Sequence, residues 1–319
     1  MEQDPLLTEK LEKLREKYAA MGQDMLSYID GLLYADYLTY WDYIRLDVLL
    51  NLQVPRTPYP DEKIFILYHQ ITELYFRLVL HAGEQVRERG DKLTSSFFTT
   101  QVKRMNSYFE SLIKSFEIMI EGMDKQQFLK FRMALLPASG FQSAQYRIIE
   151  LMATDAYLLT WHEKRAEFDK RTDAKRLYKN LYWKKGATEL ETKKKTLTLK
   201  QFEVKYGDDF IEMIDEYRKQ NLYFLYRKLK RESKENLDNL KHELRKLDHY
   251  ANVQWPLMHY RSAVRYLQKD PEDIKATGGT NWQKYLPPRN QFIVFYPELW
   301  TELELKEWGV KEFRKEFMP

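Results

Sequence analysis

The feature that most constrains this chain is a long apolar stripe at helical spacing. In DEKIFILYHQITELYFRLVLHAGEQ, the residues Ile64, Leu67, Tyr68, Ile71, Leu74, Tyr75 and Leu78 recur at three- and four-residue steps, which gathers them on one long helix. Phe109, Leu112, Ile113, Phe116, Met119 and Ile120 repeat the pattern, and Phe210, Met213, Ile214, Tyr217, Leu222 and Leu225 do so less regularly. Asp61 stands where an N-cap or first-turn acid is expected. Strand-like alternation is confined to 291–296, beside prolines. With only 11 Gly and 11 Pro in 319 residues, the chain has few turns to make, so long helices follow. The expected fold class is all-α, a multi-helix bundle read as one domain over 1–319, with an excursion near 165–205.

Three segments interrupt the helices. VPRTPYP at 54–60 carries three prolines and has to be an extended connection. LPASG at 136–140 is a turn, after which a fresh helical pattern begins at Phe141. KATGGTNWQKYLPP at 275–288 holds the Gly-Gly pair and is the candidate mobile loop. The stretch 184–200 has six lysines and two glutamates with little periodicity, and reads as a solvated insertion or hairpin in preference to a nucleic-acid patch. With 52 Lys+Arg against 48 Asp+Glu, the net charge of +4 is spread over mixed signs, without the concentrated basic face that nucleic acid requires. No run approaches the roughly 20 apolar residues of a membrane span. The start, MEQDPLLTEK, lacks the basic-then-apolar layout of a secretory signal, so a cytoplasmic protein is expected.

Several chemistries are excluded by what is missing. The chain has no cysteine, hence no disulfide, thiolate-ligated metal or cysteine nucleophile. GxGxxG, GxxxxGK, GxSxG and HExxH are all absent, and none of the six histidines follows a Glu by three residues, as a di-iron carboxylate bundle would require. Redox chemistry would then need a bound cofactor, with histidine-held haem the first candidate. Two histidines lie in apolar helical settings. His69 has Phe65 one turn before it and Glu73 one turn after; His259, in WPLMHYRSAVRYL, has Trp255 before and the small Ala263 after. Each is either a hydrogen-bonded core histidine or a ligand. Arg132, in QQFLKFRMALLP with Phe128 one turn before it, needs an anionic partner, either an internal carboxylate or that of a ligand. Thr277-Gly278-Gly279 either wraps a small ligand or makes a tight turn.

Taken in order, TYWDYIRLDVLLNLQ, FILYHQITELYFRL, FRMALLPASGFQSAQYRIIE, W-x-x-x-H-x-x-x-x-x-R and TGGT resemble the tryptophan 2,3-dioxygenases, over about residues 36 to 298 and least well in the Lys-rich middle. The resemblance implies an all-α homotetramer that carries haem b and cleaves the indole C2–C3 bond of L-tryptophan with O2, giving N-formylkynurenine. It implies His259 as the proximal iron ligand and His69 as the distal histidine that accepts the indole N–H. It further implies Phe65 packed on the indole, Arg132 paired with the substrate carboxylate, and Thr277 closing on the amino-acid end. Ser139 and Gly140 would form the turn over the distal face. Tyr40 and Tyr43 would belong to an N-terminal segment reaching a neighbouring subunit's pocket.

Three positions depart from the family pattern. Phe128 stands where many members have a tyrosine that helps hold the carboxylate. Pro256 lies three residues before His259 and should kink or restart its helix. Ala276 replaces the usual glycine before Thr277. The alternatives are a haem oxygenase or rearrangement enzyme acting on a substituted tryptophan or other indole, and a non-catalytic haem-binding sensor. The presence of both His69 and Arg132 favours a substrate-processing pocket over a sensor, because a sensor needs no carboxylate clamp.

Overall fold

A computed structural model of the chain describes residues 4–35, 38–135, 140–188, 194–268 and 286–317. Among these residues there is no strand. Extended pairing is limited to the isolated bridges Thr160–Leu181 and Thr188–Lys195. The chain gathers into two compact units, Met1–Val54 and Pro55–Pro319.

The first unit holds α1 (Pro5–Ala20), α2 (Met25–Leu33), α3 (Tyr40–Tyr43) and α4 (Leu46–Leu50). Asp4 caps α1 by accepting from the Leu6 N–H, and Asp24 caps α2 by accepting from Leu26 and Ser27. α1 meets α2 through Tyr18 and Tyr28, whose ring centroids lie 4.6 Å apart. No residue of these four helices is buried. Leu32, Leu33 and Tyr34 are 74, 78 and 86 % exposed.

The second unit continues with α5 (Asp61–Glu88), α6 (Ser95–Ser115), α7 (Glu117–Ile120), α8 (Lys125–Phe131) and α9 (Ala144–Ala153). Next come α10 (Ala174–Lys179), α11 (Tyr182–Gly186), α12 (Leu197–Tyr217), α13 (Leu222–Glu232), α14 (Asp238–His249) and α15 (Trp255–Leu267). The Pro-rich segment before α5 is closed by Glu62, which is 1 % exposed and accepts from the Arg56 and Thr57 N–H groups and the Thr57 hydroxyl. Asp61 does not cap its own helix: its carboxylate accepts from the Asp124 N–H at 2.6 Å, fastening the start of α8 to the start of α5.

α6 forms the centre. Phe98, Val102, Met105, Phe109 and Leu112, at helical spacing, are fully buried and face α5 on one side and α14 on the other. Fully burying each such side chain contributes about 1.5–3 kcal/mol. α9 packs against α5 at Gly83, where an added Cβ would lie 2.0 Å from the Met152 sulfur, so the close approach needs the missing side chain.

The α5 stripe divides between two faces. Tyr68, Phe76, Val79, Leu80 and Val86 point into the core, whereas Ile71, Leu74 and Leu78 are 41, 53 and 43 % exposed. Beyond α14 the helix widens into a π turn, Tyr250–Gln254, and restarts as α15 with Pro256 in its first turn, where a missing N–H is tolerated. The run 291–296 is buried over Ile293–Tyr296 yet forms no strand. Its Phe295 and Tyr296 N–H groups donate instead to buried Asp248, which also accepts from Asn252 and the Trp300 indole.

In the Lys-rich stretch, the Thr188–Lys195 bridge pairs the two flanks. Lys184 is not part of a solvated face: it is 6 % exposed, 2.7 Å from Glu203, and 3.4 Å from the Tyr178 ring centre. No helix among the described residues is long and apolar enough to cross a membrane.

Candidate active site

His69 lies on α5, one turn after Phe65, and its Nδ1 is 2.7 Å from the Phe65 carbonyl. His259 lies on α15, one turn after Trp255, and its Nδ1 is 3.0 Å from the Trp255 carbonyl. A carbonyl only accepts, so each Nδ1 carries the hydrogen and each Nε2 keeps a bare lone pair. Two histidines on different helices are thus held in the same tautomer, with the ligating or accepting nitrogen pointing away from its own helix.

Aromatic rings connect them. His69 has Tyr68 at 6.3 Å, Tyr68 meets Phe116 at 5.7 Å, and Phe116 meets His259 at 4.7 Å. Trp255 stands edge-on to His259 at 4.6 Å. Burial pushes the His259 imidazole from an ordinary 6.5 down to about 4; His69 and Arg147 push the same way, against the pull of the Trp255 carbonyl. His69 is also held below its ordinary value by its surroundings, with the Phe65 carbonyl and Glu73 acting in the opposite direction. As a residue His69 is exposed, so its imidazole is less enclosed than that of His259. Both imidazoles are therefore neutral near pH 7, the form that ligates iron or accepts an N–H.

The aromatic residues beside His69 converge. Phe65 lies 4.0 Å from the His69 ring, 6.3 Å from Phe128 and 5.8 Å from Phe131. Phe128 packs on Tyr266 of α15 at 4.5 Å. Arg132 follows α8 in a tight turn, Arg132–Leu135, and is 4 % exposed; burial lowers its affinity for the proton. Phe65, His69, Phe128 and His259 thus share one region of the second unit, and Arg132 adjoins it next to Phe131. Gly140 opens a short turn, Gly140–Gln142, ahead of α9. Ser139 and Thr277 lie outside the described residues. Tyr40 and Tyr43 lie on α3 of the first unit, 70 and 76 % exposed.

Sequence reasoning passed over two arrangements in GFQSAQYRIIE. Gln145 donates to both the main-chain and side-chain oxygens of Glu73, at 2.8 Å each, tying α9 to the turn of α5 that follows His69. Arg147 donates to both carboxylate oxygens of Glu150, at 2.9 and 2.8 Å, and to the Tyr182 hydroxyl at 2.9 Å, all within the core. Burial pushes the Glu150 carboxyl up, against the Arg147 charge and the Tyr182 and Arg147 hydrogen bonds, which pull it down. The signal for the pair was an Arg and a Glu three apart on an otherwise apolar helix.

No group of three or more His, Asp or Glu side chains that could enclose a bare metal ion occurs among the described residues. His259 suits a planar iron complex instead: its Nδ1 is fixed by a backbone carbonyl, its Nε2 is free, and flat aromatic walls surround it. A separate cleft of about 640 Å³ lies between Gly90–Thr94 and the end of α13, and it contains none of these residues.

The profile of the family described as Tryptophan 2,3-dioxygenase matches residues 33–270. The Tryptophan 2,3-dioxygenase of Anaeromyxobacter sp. (strain K) is 39 % identical over 110 residues, 34 % of this chain and 41 % of that protein. That of Herpetosiphon aurantiacus is 37 % identical over 112 residues, 34 % of this chain and 43 % of its own. That of Ruegeria pomeroyi is 28 % identical over 282 residues, 84 % of this chain and 92 % of the relative. The chain thus spans less than half the length of the first two relatives and nearly all of the third. It belongs to the tryptophan 2,3-dioxygenase family.

Proposed function

We propose that this chain is a haem-dependent dioxygenase that opens the indole C2–C3 bond of L-tryptophan with O2 to give N-formylkynurenine. The observation that carries the reading is the pair of neutral imidazoles, His69 and His259, on separate helices, each with its Nδ1–H on a carbonyl and its Nε2 free. Haem b supplies the dioxygen chemistry when bound. His259 Nε2 would hold its iron, and the Trp255 carbonyl orients the imidazole by accepting from Nδ1–H.

The rest of the work falls to positioning. His69 Nε2 accepts the indole N–H. Phe65 and Phe128 flank the ring and exclude water. Arg132 pairs with the substrate carboxylate, and Thr277 meets the ammonium end. By the resemblance, Ser139 and Gly140 would serve the distal, dioxygen side. Both oxygen atoms enter the product, so turnover consumes no external reductant. The exposed apolar residues of the first unit support a homotetramer in which Tyr40 and Tyr43 reach a neighbouring pocket.

Phe128, which has no hydroxyl to offer a carboxylate, supports a second reading in which the substrate is a substituted tryptophan or another indole. The buried guanidinium of Arg132 speaks against a non-catalytic sensor. The test is to reconstitute the full chain with haem, reduce it without oxygen, and add tryptophan and then O2. N-formylkynurenine absorbance is expected. Its absence beside an intact Soret band would overturn tryptophan as substrate, and a Soret band unchanged in His259→Ala would remove His259 as ligand.

A further inference from the structure

Arg147 satisfies only one corner of its guanidinium. Every hydrogen bond it makes leaves from Nη1, to Glu150 and to Tyr182. Its Nε is buried and has no hydrogen-bond partner, although the residue is 8 % exposed and sits among the Tyr146, Tyr182 and Trp183 rings at 4.8, 5.7 and 5.7 Å. A guanidinium binds a carboxylate best through two parallel N–H groups, and the Nε/Nη2 edge is such a fork, left over once Glu150 has taken Nη1. The Tyr182 hydroxyl also donates to Glu150, at 2.5 Å, so the carboxylate that aims the guanidinium is itself held.

The position of this edge says what it serves. Arg147 is among the charges felt by His259 and is not among those acting on His69. Tyr146, its neighbour in sequence, donates to the Ala251 carbonyl at 2.8 Å, in the π turn that leads into the His259 helix. Phe76 bridges Tyr146 and Trp255, at 5.3 and 5.8 Å. The unused donors therefore belong to the iron-ligand side of the site, whereas the substrate carboxylate is assigned to Arg132 beside Phe131. A buried donor is costly to leave unmet, so a resident anion suits it better than one that leaves at each turnover.

We propose that the Nε/Nη2 edge of Arg147 binds a propionate carboxylate of the haem seated on His259, with Glu150 and Tyr182 as positioning residues that aim it. The proposal rests on the haem reading above. It makes Arg147 a determinant of cofactor affinity, separate from the iron–imidazole bond and from substrate recognition.

The test compares haem with its dimethyl ester, which keeps the iron and the ring but has no carboxylate, on the full-length apo-protein. Affinity is read by Soret titration and by the rate of transfer to an excess of apo-globin. Wild-type protein should bind haem on the order of tenfold more tightly than the ester, the scale of a charge-assisted hydrogen bond. Arg147→Gln should lose most of that preference while binding the ester as wild type does. Arg147→Lys keeps the cation beside Glu150 but not the fork, and answers the same question should the Gln variant not fold. A variant that retains the full wild-type preference overturns the proposal. If wild-type protein binds neither compound, or if His259→Ala binds both as wild type does, the haem reading falls with it. A Soret band lost in His259→Ala but indifferent to position 147 would overturn the role of Arg147 alone.

Discussion

Gln145 holds Glu73 by two bonds from one nitrogen, Nε2 donating at 2.8 Å to the Glu73 carbonyl and at 2.8 Å to its carboxylate. The residue pair joins the two most specific sequence motifs of the chain, one on α5 and one on α9. It also fixes the carboxylate one turn beyond His69, whose imidazole feels that charge. Gln145→Leu removes both bonds and leaves the half-buried carboxylate without this donor, at a cost of about 1–3 kcal/mol. Gln145→Glu should cost more, because it sets two carboxylates against each other. Urea unfolding measures both, and a leucine variant as stable as wild type would show that the link carries no stability.

Acid should act on His259 before iron is bound. In the apo-protein its imidazole is pushed down to about 4, chiefly by burial, while the unfolded chain takes up the proton near 6.5. Between these two values the unfolded state holds more protons, so His259 subtracts stability as the pH falls through that window and subtracts no more below it. An NMR titration of the His259 ring protons in apo-protein should give a midpoint near 4. A midpoint near 6.5 would mean that the ring is not enclosed as described.

The all-α class and the presence of a long helix at α5 were legible because a helix this long leaves its period in the sequence. Which side of α5 faces the core was not. Tyr68, Phe76 and Val79 point inward while Ile71, Leu74 and Leu78 face out, and apolarity on both faces blurs the period that would separate them. Pro256 was informative, since a proline can restart a helix but not continue its hydrogen bonds, and α15 does restart there. His69, Arg132 and His259 came from local setting and resemblance. Arg147 did not, because its significance lies in Tyr182 and Glu150 meeting it in space, and Tyr182 is remote in sequence. Lys184 was misread for the same reason: its partners Glu203 and Tyr178 belong to other helices.

Arg132 should discriminate by charge. Its buried guanidinium gains a charge-assisted contact from a substrate carboxylate that a neutral indole does not offer. Arg132→Ala should lower kcat/KM for tryptophan on the order of 100-fold, the scale for truncating one partner of a buried charged pair. Turnover of a neutral indole should change by less than about threefold. Equal losses for both substrates would assign Arg132 to the fold and not to recognition.

Phe128 offers the complementary gain. It lies 6.3 Å from Phe65 and 4.5 Å from Tyr266, on the helix that leads into Arg132. A hydroxyl added to this ring can donate to the substrate carboxylate, and Phe128→Tyr should lower KM for tryptophan about fivefold, the equivalent of one hydrogen bond of about 1 kcal/mol. Unchanged KM would indicate that the ring edge does not face the carboxylate, and would favour an indole other than tryptophan.

The first unit predicts assembly. Its four helices bury no residue, and Leu32, Leu33 and Tyr34 stand 74, 78 and 86 % exposed in succession. Three adjacent large apolar side chains are a poor surface to leave in water but a good one to cover with a second copy of the chain. Replacing Leu32 and Leu33 by serine should shift the protein to a smaller species in light scattering after gel filtration. The replacement should leave far-UV helicity nearly unchanged, because neither side chain packs into a core. An assembly of the same mass in the double variant would exclude this helix end from the subunit contact and, with it, the route by which Tyr40 and Tyr43 would reach a neighbouring pocket.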